Sequence, residues 1–332
     1  MIVQTAYLES HSFDPYENLA LEEYLLRHCR KGQCILYLWQ NQKTVVIGKN
    51  QNAWAECRTE ALEEDGGKLA RRLSGGGAVF HDLGNLNFTF LVCKEDYNIK
   101  RQMEVILQAA RKLGVKAEKS GRNDILAEGK KFSGNAFYEQ GEQWYHHGTL
   151  MVDVDLDNLT QYLTVSKEKL RSKGVASVKS RVANLKEFVP DLTVGELKKA
   201  LREAFEEVYG YPARVIGDED LDQKEIERER AKYSSWEWKY GKKLRFQYEQ
   251  SHRFPWGSLQ IQFQICGGKV EDAGVYSDSL KPELIEAIGP WLCGLRYEKR
   301  ELLQALGTLP AAGPEEQNMV EEICGWLRTV DL

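Results

Sequence analysis

Apolar and polar residues alternate in short runs through much of the first half of the chain, and glycines or a helical period mark where each run ends. ILYLW (35–39) and TVVIG (44–48) read as strands. A helix from Asp14 and Pro15 to Arg30 precedes them, opening with a cap residue and a first-turn proline. NAWAECRTEALEED (52–65) reads as one helix, KLARRLS (68–74) leads into a glycine turn, and NLNFTFLVC (85–93) alternates as a half-buried strand. After a helix over 101–113, short strands fill 115–154, including KFSGNAFY (131–138) and QWYHHGTLMV (143–152). Helical periods return over 192–209 and 218–233, where IERERAK is a solvated charged face. SSWEWKYGKK breaks that pattern, and strands KLRFQYEQ, SLQIQFQI and KVEDAGVYSD follow before helices that run to the end. Strands grouped with flanking helices, without steady βαβ alternation, predict an α+β fold: a mixed-sheet domain over 1–240 and a small α+β domain over 241–332.

Composition narrows the classes. The 332 residues are 42% hydrophobic, enough to bury a sizeable core. A net charge of -5 gives no general electrostatic reason to bind nucleic acid, so any basic function is local. The start lacks a charged segment followed by an apolar one, and no later apolar run approaches membrane-spanning length. The expectation is a cytoplasmic protein that engages neither nucleic acid nor membrane. Seven scattered cysteines without a C-x-x-C pair read as reduced, mostly buried thiols.

Candidate chemistry concentrates in four stretches. SGGGAVFHD follows Arg71 and Arg72; it is neither a Walker A loop nor a dinucleotide fingerprint, since Phe80 stands where a third spaced glycine belongs. On a strand the two arginines point to opposite sides, so one of them shares a cleft with the glycine turn, where a guanidinium and exposed N–H groups suit phosphate or carboxylate. GRNDILAEGKKFSGNAFY (121–138) holds Lys130 and Lys131, of which one points into a site. A lysine there suits an anionic intermediate that needs neutralising. HHGTLMVDVDL (146–156) offers paired histidines but no zinc pattern, so structural or substrate-lining roles are preferred. KGVASVKSRVANL (173–185) has a composition that suits a linker or a lid equally.

RRLSGGGAVFHDLGNLNF, GRNDI, KFSGNAF, HHGTL and SVKSRVANL, in that order, resemble lipoate-protein ligases of the bacterial, lipoate-salvaging type. FDPYENLALEEYLL, VVIGKNQNAW and SSWEWKYG extend the resemblance over nearly the whole chain, with the C-terminal region matching the family's accessory domain in position and length. The resemblance implies a class II biotin/lipoyl synthetase-like fold and a two-step reaction. ATP and lipoate give lipoyl-AMP and pyrophosphate, and the lipoyl group then passes to a lysine. The acceptors it implies are apo lipoyl domains of 2-oxoacid dehydrogenase E2 subunits and the glycine cleavage H protein.

By the same resemblance Lys131, in its K-x-S-G context, is the catalytic lysine and contacts both lipoate and the α-phosphate, while Lys130 falls one residue off. Arg72 contacts nucleotide, as do Gly77, Ala78, Val79 and Phe80. Gly75, Gly76, His81 and His147 line the lipoate site, and Val79, Phe80 and Phe88 are candidates for an apolar tunnel. Asn123 and Asp124 serve Mg2+ and phosphate. Lys173, Gly174, Val175, Ala176, Ser177 and Val178 belong to a loop that covers the adenylate. The short ILAEGK segment predicts a tight turn before Lys131. Two rival readings remain beside this one. An ATP-independent octanoyl or lipoyl transferase would use a cysteine, for which Cys93 is the nearby candidate, and a binder of lipoate or lipoyl domains would lack chemistry.

Overall fold

The computed structural model describes residues 1–121, 124–164, 182–241 and 246–330. By internal contacts the chain forms two compact units. One comprises Met1–Val46, Ala55–Arg71 and Val79–Lys239; the other comprises Ile47–Trp54, Arg72–Ala78 and Tyr240–Leu332. The fold is mixed α+β, as the sequence predicts.

Fourteen strands are described, all named here in chain order: β1 (Gln4–Glu9), β2 (Gln33–Trp39), β3 (Thr44–Ile47), β4 (Lys68–Arg71), β5 (Val79–His81), β6 (Asn85–Cys93), β7 (Ala117–Ser120), β8 (Asp124–Ala127), β9 (Lys130–Gln140), β10 (Gln143–Met151), β11 (Ala213–Val215), β12 (Tyr248–Phe254), β13 (Gly257–Cys266) and β14 (Lys269–Ser277). In the first unit eight of them form one sheet in the order β11-β1-β2-β6-β10-β9-β8-β7. β1 runs parallel to both β11 and β2, and the pairs from β2 to β7 are antiparallel. A second, three-stranded sheet has the order β4-β3-β5.

The sheet's layering follows from β6. Leu86, Phe88, Phe90 and Val92 enter a core with Met103 and Ile106 of the Ile99–Lys112 helix and Leu197, Leu201 and Phe205 of the Val194–Tyr209 helix. The alternate residues Asn85, Asn87 and Thr89 point to the other face and are also buried. The strand is therefore buried on both faces rather than half-buried, because a helix covers its polar face as well. That helix, Pro15–His28, is capped by Asp14, whose carboxylate accepts the Tyr16 N–H at 2.8 Å.

Tertiary pairing overrides local propensity at residues 52–65. Instead of one helix there are two short ones, Ala53–Glu56 and Thr59–Glu64. Cys57 bridges to Leu163, and the Arg58 N–H donates to the Tyr162 carbonyl, which takes the backbone out of helical register. Likewise 236–240 forms a short helix, Trp236–Tyr240, and the helix expected from 218 begins at Gln223 under an Asp222 cap.

In the second unit β12, β13 and β14 form an antiparallel sheet packed on helices Pro282–Leu292, Lys299–Leu306 and Pro314–Thr329, through Leu259, Ile261, Phe263, Ile285, Ile288 and Ile323. Asp278 closes the β13–β14 end by accepting the Ser258 N–H at 2.6 Å and pairing with Arg253 at 2.9 Å. Burial works against its ionisation, but the Ser258 N–H and Arg253 outweigh it and hold the carboxyl below the ordinary carboxylate value. A depressed carboxyl contributes stability that is present above the unfolded-state pKa and lost as pH falls through the folded one. Asp278→Asn is expected to flatten the acid-side loss of stability below pH about 4, read by urea unfolding at stepped pH.

Among the described residues no helix is long and apolar enough to cross a membrane. All seven cysteines are free thiols; Cys29, Cys34, Cys57 and Cys324 are buried, Cys93 is partly so, and Cys266 and Cys293 are exposed.

Candidate active site

A two-residue turn delivers Lys131. Glu128 and Gly129 both have positive φ (49° and 79°), the hairpin geometry whose twist matches the flanking strands, and they join β8 to β9. Immediately after it β9 carries a bulge. Leu126 faces Lys131 while Ile125 faces Ser133, so Phe132 is the extra residue. The bulge aims the Lys131 side chain across Gly134: a Cβ at Gly134 would lie 3.0 Å from Nζ. The ammonium pairs with Asp124 Oδ1 at 2.7 Å, and both groups are about one-third exposed.

Lys130 diverges to Glu187, 2.9 Å away and exposed. The Lys130 ammonium holds the Glu187 carboxyl below its ordinary value. Lys130→Ala is expected to leave turnover within about twofold and cost under about 1 kcal/mol, checked by steady-state assay and urea unfolding.

Strand register lines up the rest of the site on the same sheet face as Gly134. Asp124 faces Gly134, Thr149 accepts the Gly134 N–H at 3.3 Å, Asn87 faces Thr149, and Trp39 faces Asn87. Two residues further along, Tyr37, Thr89, His147 and Ala136 form a parallel row. Glu22 reaches this second row from the covering helix. Its Oε1 lies 2.9 Å from His147 Nδ1 and accepts Thr89 Oγ1–H at 2.6 Å, and Thr89 Oγ1 also accepts the Trp39 indole N–H at 3.1 Å. His81 of β5 stands edge-on to Trp39, ring centroids 6.2 Å apart, with Nδ1 3.2 Å from Asn41 Nδ2. Lys131, Asp124, His147 and His81 thus all belong to the first unit.

Trp39, Asn87, Thr89, Thr149 and Glu22 were not singled out from sequence. The signal for three of them was present in the polar half of the NLNFTF alternation and in the HHGT step. Phe88, a tunnel candidate, points the other way, into the core beside Phe90 and His146. Phe80 packs on Tyr162 at 5.6 Å, and Val79 is partly buried. The Asp82 of the His-Asp step caps a turn, accepting N–H groups from Gly84 and Asp155 at 2.8 Å each.

The glycine loop is built in the second unit. Arg72 is buried; its Nε donates to Ser74 Oγ at 3.0 Å, and its Nη2 to the carbonyls of Gly75 at 2.7 Å and Gly77 at 2.8 Å. Arg71 turns instead to the carbonyls of Trp238 and Lys239 in the first unit, so the two guanidinia do diverge. The Gly76 N–H donates to the Ser279 carbonyl at 3.1 Å, Gly76 has φ of 91°, and a Cβ on Gly75 would sit 2.1 Å from Ser279 O. Gly77 is exposed and its Cβ would meet nothing within 4 Å; Ala78 is partly buried. Asn123 and the segment Lys173, Gly174, Val175, Ala176, Ser177 and Val178 lie outside the described residues.

The described residues hold no cluster of three His, Cys, Asp or Glu groups fit for a metal. Asp124 offers one carboxylate, which suits a hard ion whose other ligands are phosphate oxygens and water.

The lipoyl protein ligase A/B catalytic domain model matches residues 14–206, more than half of the chain, and the bacterial lipoate protein ligase C-terminus model matches 243–327. The chain belongs to the lipoyl protein ligase A/B family. Members of this lipoyl ligase family are enzymes, and the chain is one. Among solved structures, P. falciparum LipL1 in complex with lipoate is 29% identical, with a TM-score of 0.86 over 97% of this chain and 99% of its own. An archaeal bipartite lipoate protein ligase from Thermoplasma acidophilum, described with its E2 lipoyl domain, is 31% identical over 72% of this chain and 96% of its own, TM-score 0.64. A lipoate-protein ligase A bound with ATP is 29% identical over 73% of this chain and 99% of its own, TM-score 0.62.

Proposed function

We propose that this lipoyl ligase activates lipoate with ATP to lipoyl-AMP and then transfers the lipoyl group to a lysine of apo lipoyl domains, those of 2-oxoacid dehydrogenase E2 subunits and the glycine cleavage H protein. The observation that carries this reading is the Lys131 ammonium, held by Asp124 over a glycine that leaves room above it. A carboxylate must meet an α-phosphate in the first step, and a fixed cation neutralises the charge that builds up between them. In the second step the same ammonium stabilises charge at the acyl carbon as the acceptor amine attacks. Gly77 and Ala78, with Val79 and Phe80 beyond them, supply backbone for the nucleotide, and Arg72 shapes that loop through its carbonyl contacts. Mg2+ would be carried in by the phosphates, with Asp124 and Asn123 as its protein ligands. His81 and His147 line the acyl side. The Lys173–Val178 segment is proposed to cover the adenylate and limit its hydrolysis.

The transferase reading is weaker on geometry. Cys93 lies six residues along β6 from Asn87, about 20 Å at strand rise, and burial pushes its thiol pKa up. The deciding experiment is the intact mass of an apo lipoyl domain incubated with protein, lipoate and magnesium, with and without ATP, alongside pyrophosphate release. An ATP-dependent lipoyl increment is expected. Modification from an acyl thioester without ATP would move the chain to the transferases, and neither product would leave a binder.

A further inference from the structure

The core side of β9 carries polar groups that the adenylation chemistry does not use. Ser133 and Asn135 flank Gly134 in sequence, so by alternation both point away from the site. Buried amides and imidazoles cost stability unless each finds a partner, and here they find one another. His146 of β10 lies with Nε2 2.8 Å from Asn135 Oδ1 and with Nδ1 3.2 Å from the side-chain amide of Gln102, on the Ile99–Lys112 helix. Asn135 Nδ2 donates to Ser133 Oγ at 3.4 Å. Gln102, Ser133 and His146 are fully buried and Asn135 nearly so.

The His146 ring stacks on Phe137 at 5.0 Å and Phe90 at 5.8 Å and meets Phe88 edge-on at 5.3 Å. Burial, with His147 and Lys119 adding to it, pushes its pKa well below the ordinary histidine value, so the ring is neutral. A neutral imidazole has one N–H and one lone pair. Asn135, at the shorter distance, takes the proton, and Nδ1 must then accept. The Gln102 Nε2 is buried without another partner, and with the amide turned to face the ring its N–H and the Nδ1 lone pair satisfy each other.

This network sits where β9 parts from β10. Register pairs between the two strands run from Gln143–Gln140 to Gly148–Asn135, and the next N–H along, that of Gly134, goes to a side chain, Thr149 Oγ1, at 3.3 Å. On its other edge β9 carries the bulge at Phe132. Asn135 is thus the last of these pairs before the strand reaches Gly134 and Lys131. We propose that Gln102, His146 and Asn135 are positioning residues, a clamp that fixes the departure of β9 from β10 and so the height of Gly134 beneath the Lys131 ammonium. The proposal rests on the reading of Lys131 as the catalytic group.

Two measurements test it. In wild-type protein labelled with 15N-histidine, NMR should show His146 as the neutral Nε2–H tautomer from about pH 5 to about pH 9. An Nδ1–H tautomer or a protonated ring would overturn the clamp. The second compares rate with stability. His146→Phe strands the two amides and should lower both urea resistance and kcat for pyrophosphate release. Adding Asn135→Leu and Gln102→Met removes every stranded group and should restore much of the stability, because replacing all partners by apolar groups of similar shape is nearly neutral. The kcat of that triple variant should stay about tenfold down, with KM for ATP and lipoate within about twofold, since a small misplacement of a catalytic group costs rate rather than binding. Recovery of kcat together with stability would make the network merely structural and overturn the proposal. Should the triple variant not fold, His146→Gln decides, since it keeps one donor and one acceptor: its kcat should exceed that of His146→Phe by about threefold or more, and equal losses overturn the proposal. If wild-type protein releases no pyrophosphate, it is the functional reading that fails, and the NMR measurement alone decides whether the clamp exists.

Discussion

Lys131→Ala is expected to lower both lipoyl-AMP formation and lipoyl transfer by about a hundredfold or more each, because removing one fixed donor to developing negative charge costs that much in a desolvated site. Folding should survive. The Lys131–Asp124 pair is about one-third exposed on each side, and such pairs contribute under about 1 kcal/mol. Lys131→Arg is not expected to rescue, since a planar guanidinium reaching over Gly134 cannot replace a compact ammonium aimed between two anions. The measurements are pyrophosphate release for the first step and single-turnover domain acylation for the second. If only one step falls, the lysine serves that step alone; if neither falls, the site has been misplaced.

Gly75→Ala is expected to be the most damaging single-carbon change in the glycine loop. Its Cβ would stand 2.1 Å from the Ser279 carbonyl oxygen and 3.0 Å from the Leu280 Cα, both backbone and unable to rotate aside. The loop must move, breaking the Gly76 to Ser279 hydrogen bond and pulling the Gly75 carbonyl off Arg72, at a cost of about 2 kcal/mol or more. ATP-dependent activity should fall at least tenfold with it. Gly77→Ala is the informative contrast. Open space surrounds its Cβ, so the fold should be untouched, and a raised KM for ATP there would report the backbone's approach to nucleotide rather than packing. Equal stability losses at both positions, measured by urea unfolding, would contradict the contact with Ser279.

These two positions also show how far local pattern reaches. The turn before Lys131 was legible, because ILAEGK leaves room for little else and glycine supplies the second positive φ. The divergence of Lys130 from Lys131, and of Arg71 from Arg72, was legible from alternation alone. Phe88, a candidate for the apolar tunnel, lies in the core instead, because alternation says which residues share a face without saying which face meets the core. The helix at 52–65 was misread because its interruption comes from Leu163 and Tyr162, which no local window contains.

By itself the sequence determined most of the element types, the Asp14 cap, the tight turn and the ordered motifs that mark the family, since all of these rest on steric and hydrogen-bonding preferences acting within a few residues. Only the tertiary structure decided that the carbonyls of Gly75 and Gly77 occupy Arg72, that Ser279 makes Gly75 obligatory, and that Glu22 stands against His147. Each of those facts joins segments far apart in the chain, and what a buried charge or a missing Cβ accomplishes depends on the partner that packing brings to it.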